Sequence, residues 1–285
     1  MATFQNQALL SYNGVTTASN IVSGEILDTL AVTKTAVEPS YSAGGNITYV
    51  VSLINSGATA FTDITLTDDL GLYTVGTLSV RPLDYVDGSV MYYVGGVLQT
   101  APTATVGADG ELVISGISVP AGSNATVIYA ATVNDTAPLA EGSTIVNTVS
   151  AAEAGMTPVV ATESVGVRGG AILLIGKSVS PASVAENGRI TYTFVISNSG
   201  GEQTTTEGNP VITDTFSPIL SDIVVTLNGA PIAEGTGYTY DETTGLFTTA
   251  DGIITVPAAT YTQDATTGVW SVTPGTVTLT VTGTI

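Results

Sequence analysis

The chain has 285 residues, no cysteine and no histidine, and a formal net charge of −19, with five Lys and Arg against 24 Asp and Glu. These values exclude thiolate or imidazole zinc sites, Ser-His-Asp triads and cysteine nucleophiles. They also argue against nucleic acid and anionic membranes, which need clustered cations.

The chain opens "MATFQNQALLSYNG", which reads as a strand with Phe4, Ala8 and Leu10 on one face and Asn6 among them. No signal peptide is visible. The expectation is a mature form, or release by another route such as lysis of a mother cell around a spore. Residues 15–29, including "GVTTASNIVSG", read as a connector. No run of about 18 or more apolar residues occurs, so no membrane-spanning helix is expected.

From Leu30 onward period-2 patterns dominate. "NITYVVSLINSG" puts Ile47, Tyr49, Val51 and Leu53 on one face, and "RITYTFVISNSG" does the same with Ile190, Tyr192, Phe194 and Ile196. Each ends in an Asn-Ser-Gly turn signal. No stretch holds a helical period. The expected fold is all-β, two tandem immunoglobulin-like sandwiches, at residues 30–151 and 171–285 with a connector at 152–170.

The two halves repeat. Lys34 to Lys177 and Tyr49 to Tyr192 share a spacing of 143 residues. Asp68 in "ITLTDDL" matches Asp214 in "PVITDTF", and "SVPAGSNATVIYAATVND" matches "SVTPGTVTLTVTGTI". The first copy continues into "EGSTIVNTVSAAE", whereas the second stops at Ile285. The counterpart of "TIVNTVSA" is "TFQNQALLS", with Asn6 matching Asn147. Residues 1–14 therefore read as the last strand of the second sandwich, displaced to the other end of the chain.

The sequence resembles a conserved-repeat domain of unknown function found as immunoglobulin-like tandem repeats in bacterial and archaeal surface proteins. The matching residues are "VTKTAVEPSYSAGGNITYVVSLINSG", "ITLTDDL" and "STIVNTVSA" in the first copy, and "IGKSVSPASVAENGRITYTFVISNSG" and "VITDTF" in the second. The resemblance implies a cell-surface or appendage setting and no established catalysis.

Side-chain parity supplies the chemistry. Lys34 shares a face with Leu30 and Val32, and Lys177 with Leu173 and Ile175. Asp68 follows Ile64 and Leu66, and Asp214 follows Ile212. Asn147 lies between Ile145 and Val149. A Lys, an Asp and an Asn thus point inward twice over, and these are the chain's only lysines. Burial lowers a lysine's pKa and raises that of a carboxylic acid. A neutral amine held against a carboxamide can attack its carbonyl carbon while the acid shuttles protons, leaving a Lys–Asn isopeptide bond. Fixed proximity supplies about 7 kcal/mol or more of the barrier. Lys34 and Asn147 would bond within the chain, assisted by Asp68. Lys177 and Asn6 would bond between chains, assisted by Asp214. The same residues have ordinary readings. A lysine snorkels, an Asp after Thr caps a turn, and an Asn satisfies backbone groups at a strand end.

An incomplete sandwich invites strand addition. In an elongated two-domain chain the N-terminal strand and its groove lie about 70–80 Å apart, so the groove of another copy is the expected acceptor. Such a head-to-tail contact need not close and builds a filament. The competing expectation is a monomeric adhesin or carbohydrate-binding module whose N-terminal strand pairs within its own chain. Other signals are weaker. Asn46, Asn124 and Asn134 head N-glycosylation patterns. "DYVDGS" and "YDETTG" lack the ligand density of a calcium loop and read as turns. Trp270, with Tyr92 and Tyr238, reads as a sugar platform or, more simply, as packing. The expectation is an extracellular, cell- or spore-surface structural protein whose partner is itself, with no cofactor or metal and no conventional enzymatic activity.

Overall fold

The computed structural model describes residues 2–26, 30–205 and 208–285. Met1 of the expected donor strand and residues 27–29 of the expected connector lie outside them. The fold is all-β, as the period-2 patterns require.

The first unit has two six-stranded sheets. One runs in the order Val97–Leu98, Met91–Val94, Asn124–Val133, Asn46–Asn55 and Leu30–Ala36, with Leu83–Tyr85 also paired to Asn124–Val133. The other runs Thr103–Val106, Leu112–Val119, Phe61–Asp68, Thr144–Ala152, Val159–Val167 and Ser40–Tyr41. Alternate residues of both sheets meet in one core. Ile47, Tyr49, Val51 and Leu53 face Ile64, Leu66, Ile114, Ile145 and Val149. This is the inward half of each alternation, and the outward half is polar or β-branched.

The second unit repeats the plan with fewer strands. Leu173–Ser180, Arg189–Asn198, Gly275–Thr284, Ser221–Leu227 and Ala230–Ile232 form a five-stranded sheet. Thr213–Thr215, Leu246–Thr249 and Tyr238–Asp241 form a three-stranded one. A second core gathers Ile190, Phe194, Phe216, Phe247, Leu279 and Val281. Register is conserved between the units. Leu30 pairs with Asn55 and Leu173 with Asn198, and Lys34 pairs with Val51 and Lys177 with Phe194. The buried Asn55 and Asn198 also act alike. Each accepts from the amide two residues on (Gly57 or Gly200, 2.9 Å) and donates to a proline carbonyl (Pro120, 3.1 Å, or Pro257, 2.9 Å). That equivalence revises one alignment. Val256–Pro257, not Val272–Pro274, matches Val119–Pro120.

Between Pro257 and Gly275 the second unit inserts a hairpin, Thr260–Gln263 paired with Trp270–Thr273. It reaches back onto the first unit. Tyr261, Trp270 and Val272 pack against the first core. The Trp270 amide donates to the Asp135 carbonyl (2.8 Å), and Gln263 Nε2 donates to the Tyr73 hydroxyl (2.8 Å). Trp270 therefore serves packing. Tyr92, buried and donating to the Ser118 carbonyl, and Tyr238, ring to ring with Phe247, do the same.

Both expected connectors contain strands. Val159–Val167, in the 152–170 segment, pairs along Thr144–Ala152 and sends Val165 into the first core. In the 15–29 segment, Val15–Ala18 and Val22–Ile26 pair back onto Leu9–Tyr12 and Ala2–Asn6. The N-terminus is thus one long hairpin. It turns at Asn13-Gly14, both at positive φ (48° and 78°), a pair of conformations that suits a tight two-residue turn and that Asn and Gly tolerate best. Its described side chains from Phe4 to Ser23 are all exposed.

Candidate functional site

The first Lys–Asp–Asn set meets in the first core. Lys34 Nζ lies 2.5 Å from Asp68 Oδ2, with side-chain exposures of 0% and 1%. The strand pairing that sets Val149 opposite Asp68 carries Asn147, fully buried, to the same end of the sheet. Two consecutive amides at the end of the Asp68 strand hold the two acceptors. The Leu70 amide donates to Asp68 Oδ1 (3.1 Å), and the Gly71 amide donates to Asn147 Oδ1 (3.2 Å). Gly71 has φ +76°, and a Cβ there would meet Ile145 Cγ2 at 2.9 Å. Glycine lets the turn present its N–H to the carboxamide.

Two tyrosines complete the cluster. The Tyr129 hydroxyl donates to Asp68 Oδ2 at 2.5 Å. Lys34 Nζ stands 4.6 Å from the centroid of the Tyr49 ring and 6.0 Å from that of Tyr129. Burial pushes the Lys34 amine below its ordinary 10.5, and the Asp68 carboxylate pulls it part of the way back. Burial likewise pushes the Tyr49 and Tyr129 hydroxyls up, and the nearby Asn147 side chain opposes both rises. Its approach falls short of hydrogen-bond geometry, however. Asn147 Nδ2 is buried without a hydrogen-bond partner, as is the Tyr49 hydroxyl. An unpaired buried amide N–H costs about 1–3 kcal/mol, so the arrangement is poor as a purely structural network. It suits a reaction in which that nitrogen departs.

The second set is only half assembled. Lys177 Nζ contacts Asp214 Oδ2, but the lysine side chain is 42% exposed and the aspartate 18%. Lys177 lies over the rings of Tyr192, Phe194 and Phe216, at 4.8, 5.3 and 5.6 Å from their centroids. Its parity toward the core is therefore that of Lys34, but its side chain stays partly open to solvent. Leu173, Ile175 and the whole Leu173–Ser180 strand are exposed. Thr213–Thr215 ends its sheet, whereas Phe61–Asp68 is flanked on both sides. Among the described residues, Asn6 makes no strand pairing with the Lys177 strand. It pairs with Val22 in the N-terminal hairpin, where Phe4 and Leu10 are 54% and 66% exposed and Ala8 is also exposed.

The aids beyond Lys, Asp and Asn differ between the units. Val281, paired with Tyr192, holds the place of Tyr129, which is paired with Tyr49. Sequence reasoning missed Tyr129 and Gly71. Tyr129 reads as one more strand aromatic, and Gly71 as one more turn glycine. The Asp241 turn fills its own carboxylate. Thr243 and Thr244 donate to it, and their hydrogen bonds hold its pKa down at about 2.

No protein-family model and no curated protein matches the chain. Among solved structures, the chain is similar to the major pilin subunit of Bacillus cereus (10% identity over 96% of this chain and 73% of that one, TM-score 0.35). It is also similar to the pilus backbone of Streptococcus pneumoniae (14% identity, 86% and 56%, TM-score 0.35). A third is the collagen-binding domain of a Staphylococcus aureus adhesin (11% identity, 50% and 99%, TM-score 0.32).

Proposed function

We propose that the chain is a structural subunit of an extracellular bacterial appendage, on the cell or spore surface, belonging to the conserved-repeat surface domains that its motifs resemble. It polymerises head-to-tail by donating its N-terminal strand, residues 1–14, to the second unit of another copy. One observation carries this reading. Lys177 and Asp214 stand ready but uncovered at a sheet edge, in the place where Lys34 and Asp68 are sealed by the Asn147 strand. Asn6 brings the matching residue. The Phe4, Ala8 and Leu10 face supplies the apolar cover that an exposed edge and its open core call for.

Isopeptide bonds then lock the polymer. The Lys34 proton passes to Asp68 across the 2.5 Å contact. The amine lone pair attacks Asn147 Cγ, and the Gly71 N–H stabilises the charge that develops on Oδ1. Asp68 passes that proton to Nδ2 and takes the second proton from the now positively charged Lys34 nitrogen. As the carbonyl re-forms the Cγ–Nδ2 bond breaks, ammonia leaves, and a neutral amide remains beside a protonated Asp68. Lys177, Asp214 and Asn6 repeat these steps between copies. Electron microscopy of purified protein, with a denaturing gel, tests the reading. Filaments and a ladder of covalent multimers are expected. Discrete particles running as single chains would instead favour a monomeric adhesin.

A further inference from the structure

We infer that the donated element is the whole N-terminal hairpin, so that two strands, not one, enter the neighbouring copy. The inference rests on the strand-exchange reading and deepens it. In the first unit, two strands fill the place left open in the second. Thr144–Ala152 pairs with the Asp68 strand, and Val159–Val167 follows it as the next strand of the sheet. The second of these covers the lysine strand. Thr157, Pro158, Val159 and Val160 line one cavity with Leu30, Ala31 and Val32. Leu30 is 4% exposed there, and Val165, at 2%, joins the core.

In the second unit the corresponding Leu173 is 42% exposed. A single strand laid on Thr213–Thr215 would satisfy that edge and bring Asn6 to Lys177. It would leave Leu173–Ser180 bare.

The hairpin supplies the missing cover. On the return strand the spacing of 143 residues that relates Lys34 to Lys177 also relates Val22 to Val165 and Ala18 to Ala161. In the free hairpin Val22 stands opposite Asn6 whereas Glu163 stands opposite Asn147, so docking slides its two strands by two residues, a shift that keeps every side chain on its face. Ala161, Val165 and Val167 are the return-strand residues that pack on the first core, and Gly24 stands at the place of Val167. Val22, at 55%, waits exposed with Leu9, Leu10, Tyr12, Val15 and Ile21 at 58–75%. An isolated two-stranded hairpin is marginal in water, and one carrying this much exposed apolar surface needs a partner. The chain path agrees. Val167 leads to Leu173 over the same number of residues as Gly24 leads to Leu30. The joint between copies therefore repeats the route of the joint inside the chain.

The test uses single cysteines in a chain that has none. Val22→Cys and Leu173→Cys are each reacted with a soluble thiol reagent before and after filaments form. Both are expected to label freely as monomer and to lose labelling in filaments. Val22→Asp, as a second variant, is expected to abolish assembly while the monomer's denaturation midpoint stays unchanged, because Val22 is exposed there and belongs to neither core. Filaments whose positions 22 and 173 label as in the monomer, or filaments of normal length from Val22→Asp, overturn the hairpin and leave single-strand exchange standing. Absence of filaments from the unaltered chain overturns strand exchange itself.

Discussion

Lys34 and Asp68 meet at 2.5 Å with both side chains sealed from water, while their repeats Lys177 and Asp214 meet in a half-open groove. One sequence pattern thus stands in a finished and an unfinished form in the same molecule. Among the described residues, the second form has no counterpart of the asparagine-bearing strand and return strand that close the first.

The closed site should react without help from another chain. The intact mass of monomer is expected to be lower than the sequence mass by one ammonia. Asp68→Ala should retain that ammonia. It should also lose about 3–5 kcal/mol of stability, the usual cost of removing one partner from a buried ion pair. Mass spectrometry and a denaturant titration check both.

Lys34 carries a pH dependence. Its folded pKa lies below 10.5 because of burial. The neutral amine is the attacking species, so bond formation is expected to speed up with rising pH and level off before 10.5. In an Asn147→Ala chain, which cannot react, the unfolded state holds more protons between the lowered folded pKa and 10.5. Stability should therefore rise with pH across that window and flatten above it. Denaturation midpoints against pH, measured beside the rate of ammonia loss, give both curves.

Tyr129→Phe removes the hydroxyl that donates to Asp68. Hydrogen bonds to charged groups are worth about 1.5–3 kcal/mol, so slower Lys34–Asn147 bonding and a loss of this order in stability are expected. The joint between copies should bond at its usual rate, since Val281 stands where a tyrosine would act. Peptide mapping of the two crosslinks separates them.

Asn6→Ala separates assembly from locking. Filaments are still expected, because the apolar face of the hairpin is intact. In denaturant they should fall apart to monomers, which keep the internal bond. Asn147→Ala should do the reverse, giving a covalent ladder of subunits whose first units unfold more easily. Gels run with and without denaturant decide.

Much of this was legible because a strand alternates with period 2. Once Ile47, Tyr49 and Val51 were placed inside, the parities of Lys34, Asp68 and Asn147 followed, and the repeat kept their register. The return strands were not read. "VVATESVGV" and "VTTASNIVSG" carry the Gly and Thr of a connector, and what makes them strands is pairing with partners distant in sequence. Asn13-Gly14 between "LLSY" and "VTTA" was the available signal for the N-terminal hairpin. Gly71 and Tyr129 gave no signal, because their roles depend on where a turn and a ring end up in space.

The hairpin between Pro257 and Gly275 clasps the first unit through Trp270 and Gln263. The first unit has no such insertion, since its chain turns directly from Pro120 to Asn124. A polymer of this chain would therefore alternate clasped joints within subunits and unclasped joints between them. Such a fibre would be compliant once per subunit, articulated like a chain of stiff rods, and under shear its bending would concentrate at the joints between copies.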